Sequence, residues 1–342
     1  MNIFVTTMII GIGTDYGVHI VHRYREMRHA PHTAAERGIE ETGKAVVLAA
    51  GKGKRLKSTA PKVLHPICGR PALWWVLQSV RAARPSKIAV VVHHGADEVR
   101  DAVRSWGITP EPVFVEQGDA LGTGHAVLAA EKAVGRAREV LIANGDFDPV
   151  APEDVRRLVR VHRRTRAAAT MITTDVERPG TLSRIVREGD RLASIIEGTD
   201  APTSMRAIRE VGTNWIAFRR DDLFRALPLV GRENAQAEYY LNDVFPILID
   251  KGERVSVVKV DTGGAIGINS RADLARTTRV VRERINARHL ANGVTLDDPD
   301  TTYIDVDVRI GRDTVVHPMT FLSGVTRIAT GCEIGPATRI VD

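Results

Sequence analysis

The chain has 342 residues, enough for two domains, and its 43% hydrophobic and 26% charged residues fit a globular protein and exclude collagen-like, disordered and disulfide-scaffold classes. The net charge of +6 suits anionic ligands and equally a solvated Arg-rich surface, and no Lys/Arg run interleaved with aromatics marks a nucleic-acid groove. Only Cys68 and Cys332 occur, far apart in sequence, so no disulfide framework is implied and a reducing cytoplasm is the expected location.

Residues 3 to 13, IFVTTMIIGIG, form the first apolar stretch. A membrane span needs about 20 residues, and a signal peptide needs a basic start and a small-residue cleavage site, so neither is expected. The stretch GIGTDYGVHIVHRYRE, continued by IEETGKAVVLAA, resembles one segment of the resistance-nodulation-division and MMPL-like transporters. There the Asp matching Asp15 lies inside a bundle of membrane helices, as intramembrane carboxylates must. The sequence offers no further membrane helix, which excludes a transporter. Residues 1–44 are therefore expected to be an unrelated segment, joined near Lys44 by fusion, assembly or a misplaced start, with a genuine membrane anchor as the alternative.

From residue 45 onward, short apolar runs alternate with helical patterns. Strands are expected at Ala45–Ala49, Ile88–His93, Val113–Glu116, Val140–Ala143 and Ala168–Thr174, each the kind of run buried in a parallel sheet. Helices are expected at Ala72–Ala83, Asp97–Trp106, His125–Val134 and Glu153–Arg164. This alternation predicts an α/β domain, with ligands beyond the carboxyl ends of the strands.

The first strand runs into LAAGKGKRLKS. Gly51 and Gly53 permit a tight turn that presents backbone N–H groups to phosphate oxygens. A P-loop needs Gly directly before Lys-Ser, and a dinucleotide fingerprint needs Gly three residues after Gly53; Leu56 occupies both positions. What remains is Gly-x-Gly-x-Arg followed by Pro61-Lys62-Val63-Leu64, which sets Arg55 and Lys62 to grip a triphosphate. A plain strand-helix connection is the structural alternative.

These residues, with PKVLHPICGRPAL, resemble the N-acetylglucosamine-1-phosphate uridylyltransferase family, bacterial enzymes that make UDP-N-acetylglucosamine for peptidoglycan and the cell wall. The resemblance covers about residues 45 to 342 and implies a Rossmann-like nucleotidyltransferase domain. It implies that Ala49, Ala50, Gly51 and Gly53 bind nucleotide while Arg55 and Lys62 act catalytically. It further assigns Gln117, Gly122 and Thr123 to the uracil of UTP. A Gln amide can pair with both an acceptor and a donor of a pyrimidine edge, and Gly122 and Thr123 open a helix with free N–H groups. A helix cap by Thr123 is the plainer reading.

Asn144-Gly145-Asp146 closes an apolar strand, where a carboxylate is placed to hold Mg²⁺ against phosphates. The family pairs this Asp with an Asn matching Asn269. It continues Val-Pro-Leu where this chain has Phe147-Asp148-Pro149, so Asp148 is either a further metal ligand or a solvated loop residue. The sugar half departs more. Thr-Gly-Tyr-Gly-Arg becomes Gly180-Thr181-Leu182-Ser183-Arg184, and Glu-Ile-Asn-Thr-Gly becomes Glu210-Val211-Gly212-Thr213-Asn214. The resemblance then assigns the sugar to Ser183, Glu197 and Gly212, with Thr213 and Asn214 as alternatives for the amide missing at 212. The implied reaction is attack of the sugar phosphate on the α-phosphorus of UTP, releasing pyrophosphate. The alternatives are another sugar or dTTP, or a non-catalytic subunit that binds sugar nucleotides.

Residues 271 to 292 read as an amphipathic connecting helix. Beyond it the period becomes six: Ile304, Ile310, Val316, Leu322, Ile328, Ile334 and Ile340 share one register. This is the hexapeptide repeat of a left-handed parallel β-helix. The expected domains are 1–44, 45–275 (nucleotidyltransferase), 276–298 (connecting helix) and 299–342 (truncated β-helix). In the family the β-helix continues, trimerises and carries acetyl transfer. This chain, ending at Asp342, is expected to lack that activity and to be monomeric or weakly associated. Its partners are then UTP and a sugar 1-phosphate, with no nucleic acid and no membrane for the catalytic part.

Overall fold

The computed structural model describes residues 43–342 apart from 147–149, 178, 190 and 263–266. The transporter-like stretch up to residue 42, and Asp148, lie outside the described residues. A division of the chain falls between Thr42 and Gly43.

The core begins with β1 (Lys44–Leu48), whose side chains alternate between the two faces of a sheet. Ala45, Val47 and Ala49 enter one apolar cluster, while Val46 and Leu48 enter the other. Both faces are covered, which is why the run is apolar throughout. On the first face lie α1 (Ala72–Arg81) and residues 155 and 158 of a later helix. On the second lie Ala126, Val127, Val244 and Phe245. Next to β1 runs β2 (Ile88–Val92), buried at all five positions. After α2 (Ala96–Ser105), β3 (Val113–Glu116) forms one edge.

The helix expected over His125–Val134 is two pieces, α3 (Thr123–Ala129) and α4 (Glu131–Val134), meeting at Ala130. β4 (Glu139–Asn144) then pairs with β1 in parallel, and α5 (Pro152–Thr165) leads to β5 (Ala169–Asp175). A hairpin follows, β6 (Arg184–Glu188) with β7 (Arg191–Ile196).

The sheet is not wholly parallel as expected. β8 (Glu210–Arg219) runs antiparallel to both β4 and β5 and sits between them. Its register against β5 shifts between Gly212 and Ile216, and Asn214 at that irregularity has φ +55°. Gly212, Thr213 and Asn214 interrupt the apolar run, so β8 lacks an unbroken signal in the sequence. After α6 (Arg220–Ala226) and α7 (Val244–Asp250), β9 (Val255–Lys259) closes the other edge. The order is β9-β5-β8-β4-β1-β2-β3, with β6 joining β8.

α8 spans Arg271–Ala291, so residues 271–275 belong to this helix rather than to the domain before it. Ser270 caps it: its hydroxyl accepts from the Asp273 N–H at 3.2 Å and donates to the Asp273 carboxylate at 2.8 Å. Short parallel strands follow, stacked in three sheets with partners 20 residues apart in the first pair, Leu296 with Val316, and 18 apart in the others, as in Ile304 with Leu322 and Leu322 with Ile340. Ile310 meets Ile328, and Val316 meets Ile334. Ile304, Val316 and Leu322 are buried and form one core with α8 residues Val281 and Ile285. Leu56, Ile67 and Ala72 share it, so the C-terminal part buttresses the loop that follows β1.

Candidate active site

β1 and β4 end side by side, and two connected hollows open beyond them, of about 400 and 410 Å³. Thr123, Asn144, Asp146 and Glu238 line both. The smaller also touches Ala50, Gly51, Lys62, Gln117 and Gly122, the residues expected from the sequence to hold nucleotide, and for that expectation is termed the nucleotide lobe. The larger touches Arg55, Asn214 and Asn242 together with Ser183, Glu197 and Gly212, the residues expected from the sequence to hold the sugar, and for that expectation is termed the sugar lobe.

The loop leaves β1 through buried Ala49, whose N–H donates to the Val91 carbonyl at 2.8 Å. Gly53 has φ +60°, and a Cβ there would lie 2.8 Å from Lys62 Cβ, so both backbone and packing require glycine. Gly51 differs. Among the described residues nothing lies within 4 Å of where its Cβ would stand, and Gly51 lines the smaller lobe.

Where the lobes meet, four side chains converge. Lys62, only 8% exposed, pairs with the Asp146 carboxylate and donates to Asn269 Oδ1 at 2.9 Å. Arg55 donates to the same Asn269 oxygen at 2.9 Å. Asn269 is held by its own N–H, which donates to Asp273 of the α8 cap, and the neighbouring Ile268 N–H donates to the Asp146 carbonyl at 2.9 Å. The Asp146 carboxylate and the Asn269 carboxamide oxygen thus share the Lys62 ammonium, and Arg55 adds a second cation on the carboxamide oxygen. This all-oxygen pair suits a hard divalent ion that takes few protein ligands and keeps water and phosphate oxygens in its remaining positions. Among the described residues no cluster of three or more His, Cys, Asp or Glu forms a metal cage.

In the nucleotide lobe, Gln117 is buried and its amide nitrogen donates to the Gly122 carbonyl at 3.0 Å. Gly122 has φ +112°, and a Cβ on it would stand 2.6 Å from the Tyr239 carbonyl oxygen. Thr123 does not cap its helix: the cap residue is Gly122, and the Thr123 hydroxyl accepts from the Leu241 N–H at 2.9 Å. The wall is also stitched main chain to main chain, with Gly124 N–H donating to the Tyr239 carbonyl at 2.7 Å and Tyr239 N–H to the Leu121 carbonyl at 2.8 Å.

The sugar lobe is built from side chains. Asn242 Nδ2 donates to Glu197 Oε1 at 2.6 Å and to the Ser183 hydroxyl at 3.0 Å, and approaches Asn214 Oδ1 at 3.4 Å. Burial raises the Glu197 carboxyl above its ordinary range; Asn242 and Ser183 pull it back, and Asp243 and Asp200 push it up. At Gly212 the Cβ direction leads to Met171 Sδ, 2.7 Å away in the core, and its N–H donates to the Ser183 carbonyl at 3.1 Å. Thr213 is likewise turned inward, its hydroxyl donating to the Ile172 carbonyl at 2.9 Å. Asn214 alone of the three presents its side chain to the lobe.

The sequence reading missed Asn144 and Asn242. Asn144 ends β4 within the Asn-Gly-Asp run and shares both lobes, so its position was a usable signal. Asn242 carries no local signal; only the fold brings it to Glu197, 45 positions away.

A MobA-like NTP transferase domain model matches residues 45–237, more than half of the chain, and an MMPL family model matches residues 1–51. The chain is 42% identical over 300 residues to the bifunctional protein GlmU of Thermotoga maritima, covering 87% of this chain and 65% of that protein. It is 42% identical over 307 residues to that of Symbiobacterium thermophilum, covering 87% and 63%. The chain thus spans a little under two thirds of these relatives' length. Among solved structures, a putative glucose-1-phosphate thymidylyltransferase from Bacillus anthracis matches with a TM-score of 0.57 at 16% identity, covering 69% of this chain and 93% of that one. A UDP-glucose pyrophosphorylase from Acinetobacter baumanii matches at 0.56 and 18%, covering 72% and 94%. These two likenesses establish the nucleotidyltransferase α/β fold. The chain belongs to the MobA-like NTP transferase family.

Proposed function

We propose that this member of the family transfers a uridylyl group from UTP to N-acetylglucosamine 1-phosphate, forming UDP-N-acetylglucosamine and pyrophosphate. The observation that carries this reading is the junction of Lys62, Arg55, Asp146 and Asn269 between two lobes, one walled by main chain and the other by sugar-sized polar contacts. The similarity to the GlmU proteins over 87% of the chain supports it.

On this reading Gln117, Gly122 and Thr123 hold the uracil, and the loop from Ala49 and Ala50 through Gly51 and Gly53 holds the triphosphate. Lys62 and Arg55 neutralise charge on the phosphates, and Ser183, Glu197 and Gly212 border the sugar. The sugar phosphate oxygen attacks the α-phosphorus, and pyrophosphate leaves, with no covalent enzyme intermediate. Catalysis is then positioning plus charge neutralisation. Mg²⁺, held by Asp146 and Asn269, would supply further neutralisation of the leaving group. The stacked C-terminal strands are the opening coils of a left-handed β-helix. The free cysteines Cys68 and Cys332 fit a reducing cytoplasm.

Pyrophosphate release across a panel of sugar phosphates with UTP and dTTP tests the reading. Turnover is expected with UTP and N-acetylglucosamine 1-phosphate. Turnover only with dTTP, or none with any pair, overturns it.

A further inference from the structure

Asn269 stands where the positive end of a long helix begins. α8 runs for 21 residues from Arg271, and Ser270 caps it. The aligned peptides of such a helix place roughly half a positive charge at its first turn, which favours anions and opposes a cation. Lys62 and Arg55 already crowd Asn269 Oδ1, each at 2.9 Å. A divalent ion shared between this oxygen and Asp146 therefore needs a further negative charge close by. Asp273 is the only acidic residue in the first turn of α8.

Asp273 does more than complete a cap. In a capping box the acid at the third helical position reaches back to the N–H of the cap residue itself. Here the carboxylate reaches one residue further: Oδ2 accepts from the Asn269 N–H at 3.2 Å as well as from the Ser270 hydroxyl at 2.8 Å. The helix gains nothing from a bond to the residue before its cap, whereas the Asn269 backbone is pinned by it. The carboxamide is oriented from the other side, where Asn269 Nδ2 donates toward the Gly267 carbonyl at 3.4 Å and leaves Oδ1 to the cations. The same turn also holds the phosphate loop, through Arg271 Nε donating to the Leu56 carbonyl at 3.1 Å.

We propose that Asp273 is a positioning residue for the metal at the junction: it pins the Asn269 backbone and offsets the helix N-terminus, so that Asn269 Oδ1 can serve a divalent cation. This rests on the metal assignment made with the uridylyltransferase reading and extends it to a residue that lines neither lobe.

The test uses the full chain with saturating UDP-N-acetylglucosamine and titrates Mn²⁺, an oxygen-seeking stand-in for Mg²⁺ whose free form is counted by electron paramagnetic resonance. Asp273→Ala removes both the bond and the charge; Asp273→Asn keeps an acceptor oxygen and removes only the charge. The Kd for Mn²⁺ is expected to rise about tenfold or more in the first and about threefold in the second, as for loss of an outer partner of a metal ligand. Ser270→Ala, which loses the cap hydroxyl but keeps the carboxylate on the Asn269 N–H, should lower Tm and leave Mn²⁺ affinity nearly unchanged. Parental Mn²⁺ affinity in either Asp273 variant overturns the proposal, because a cap alone would move only Tm. Weakening by Ser270→Ala equal to that by Asp273→Ala also overturns it, since the cap would then set the site. The Asn variant keeps the test decisive if the Ala variant fails to fold. Equal Mn²⁺ binding by the unaltered chain and Asp146→Ala would instead strike the metal assignment itself, and the proposal with it.

Discussion

In the nucleotide lobe the bonds of the wall run to main-chain groups: Gly124 and Tyr239 bond backbone to backbone, and the Gln117 and Thr123 side chains each bond a backbone group. In the sugar lobe the walls are side chains: Asn242, Glu197, Ser183 and Asn214 bonded to one another. Main-chain walls fix the position of a ligand common to many relatives, because a backbone changes little when side chains are exchanged. Side-chain walls fix identity and can be altered one residue at a time. The departures at Leu182, Ser183, Gly212 and Asn214 lie in the second lobe.

The largest expected effects lie at the junction. Asp146→Ala and Asn269→Ala are each expected to reduce Mg²⁺-dependent pyrophosphate release on the order of a thousandfold or more, because the metal and Lys62 lose their shared partner. Lys62→Ala removes one buried charge; at an effective dielectric of about 20 this is worth roughly 4 kcal/mol, or roughly two to three orders of magnitude in rate. Steady-state kinetics check all three. Near-normal turnover of Asp146→Ala would remove the metal assignment and with it the distinction between junction and lobes.

A second set of variants sharpens the comparison through stability. Gly53→Ala meets both a left-handed backbone and the Lys62 side chain, and Gly212→Asn drives its Cβ toward Met171 Sδ. Each is expected to cost about 1–3 kcal/mol, read as a Tm lower by several degrees. Gly51→Ala should leave Tm unchanged, since nothing in the protein stands in its way, yet raise KM for UTP. If Gly51→Ala destabilised the fold and left UTP binding unaffected, the nucleotide lobe would not be where the triphosphate enters.

Much of this architecture was legible in the sequence, for reasons that differ by element. β1 and β2 are buried on both faces, so their apolar runs announce them. The six-residue period was readable because the stacked short strands repeat one packing solution, and Ile304 pairs with Leu322 and Leu322 with Ile340. β8 was missed because its bulge replaces apolar residues with Gly212, Thr213 and Asn214. Gly122 was singled out as a ligand contact, yet its φ and its closeness to Tyr239 also require glycine, and that partner is distant in sequence. Asn242 and Asn214 meet only because β8 and the segment before α7 are brought together by the whole sheet.

The smallest expected effect concerns Glu197. Burial, aided by Asp243 and Asp200, holds its carboxyl above the ordinary value of 4.5, so the folded protein binds this proton more readily than the unfolded chain does. Ionisation therefore costs stability; the cost is absent below the ordinary carboxylate range and grows as pH rises through the window above it. Glu197→Gln removes that cost and keeps an oxygen that accepts from Asn242. Its Tm is expected to match that of the unaltered protein near about pH 4 and to exceed it by about 1–3 °C near neutrality. The same variant is expected to lose less than about tenfold in kcat/KM for the sugar phosphate, because one charged acceptor becomes a neutral one. Melting curves across pH, paired with kinetics at neutral pH, separate the two effects. A variant less stable than the parent at neutral pH would mean that the charge itself holds the Asn242 cluster together. The sugar lobe would then be organised by electrostatics, as the junction is, and the contrast between the two lobes would have to be drawn elsewhere.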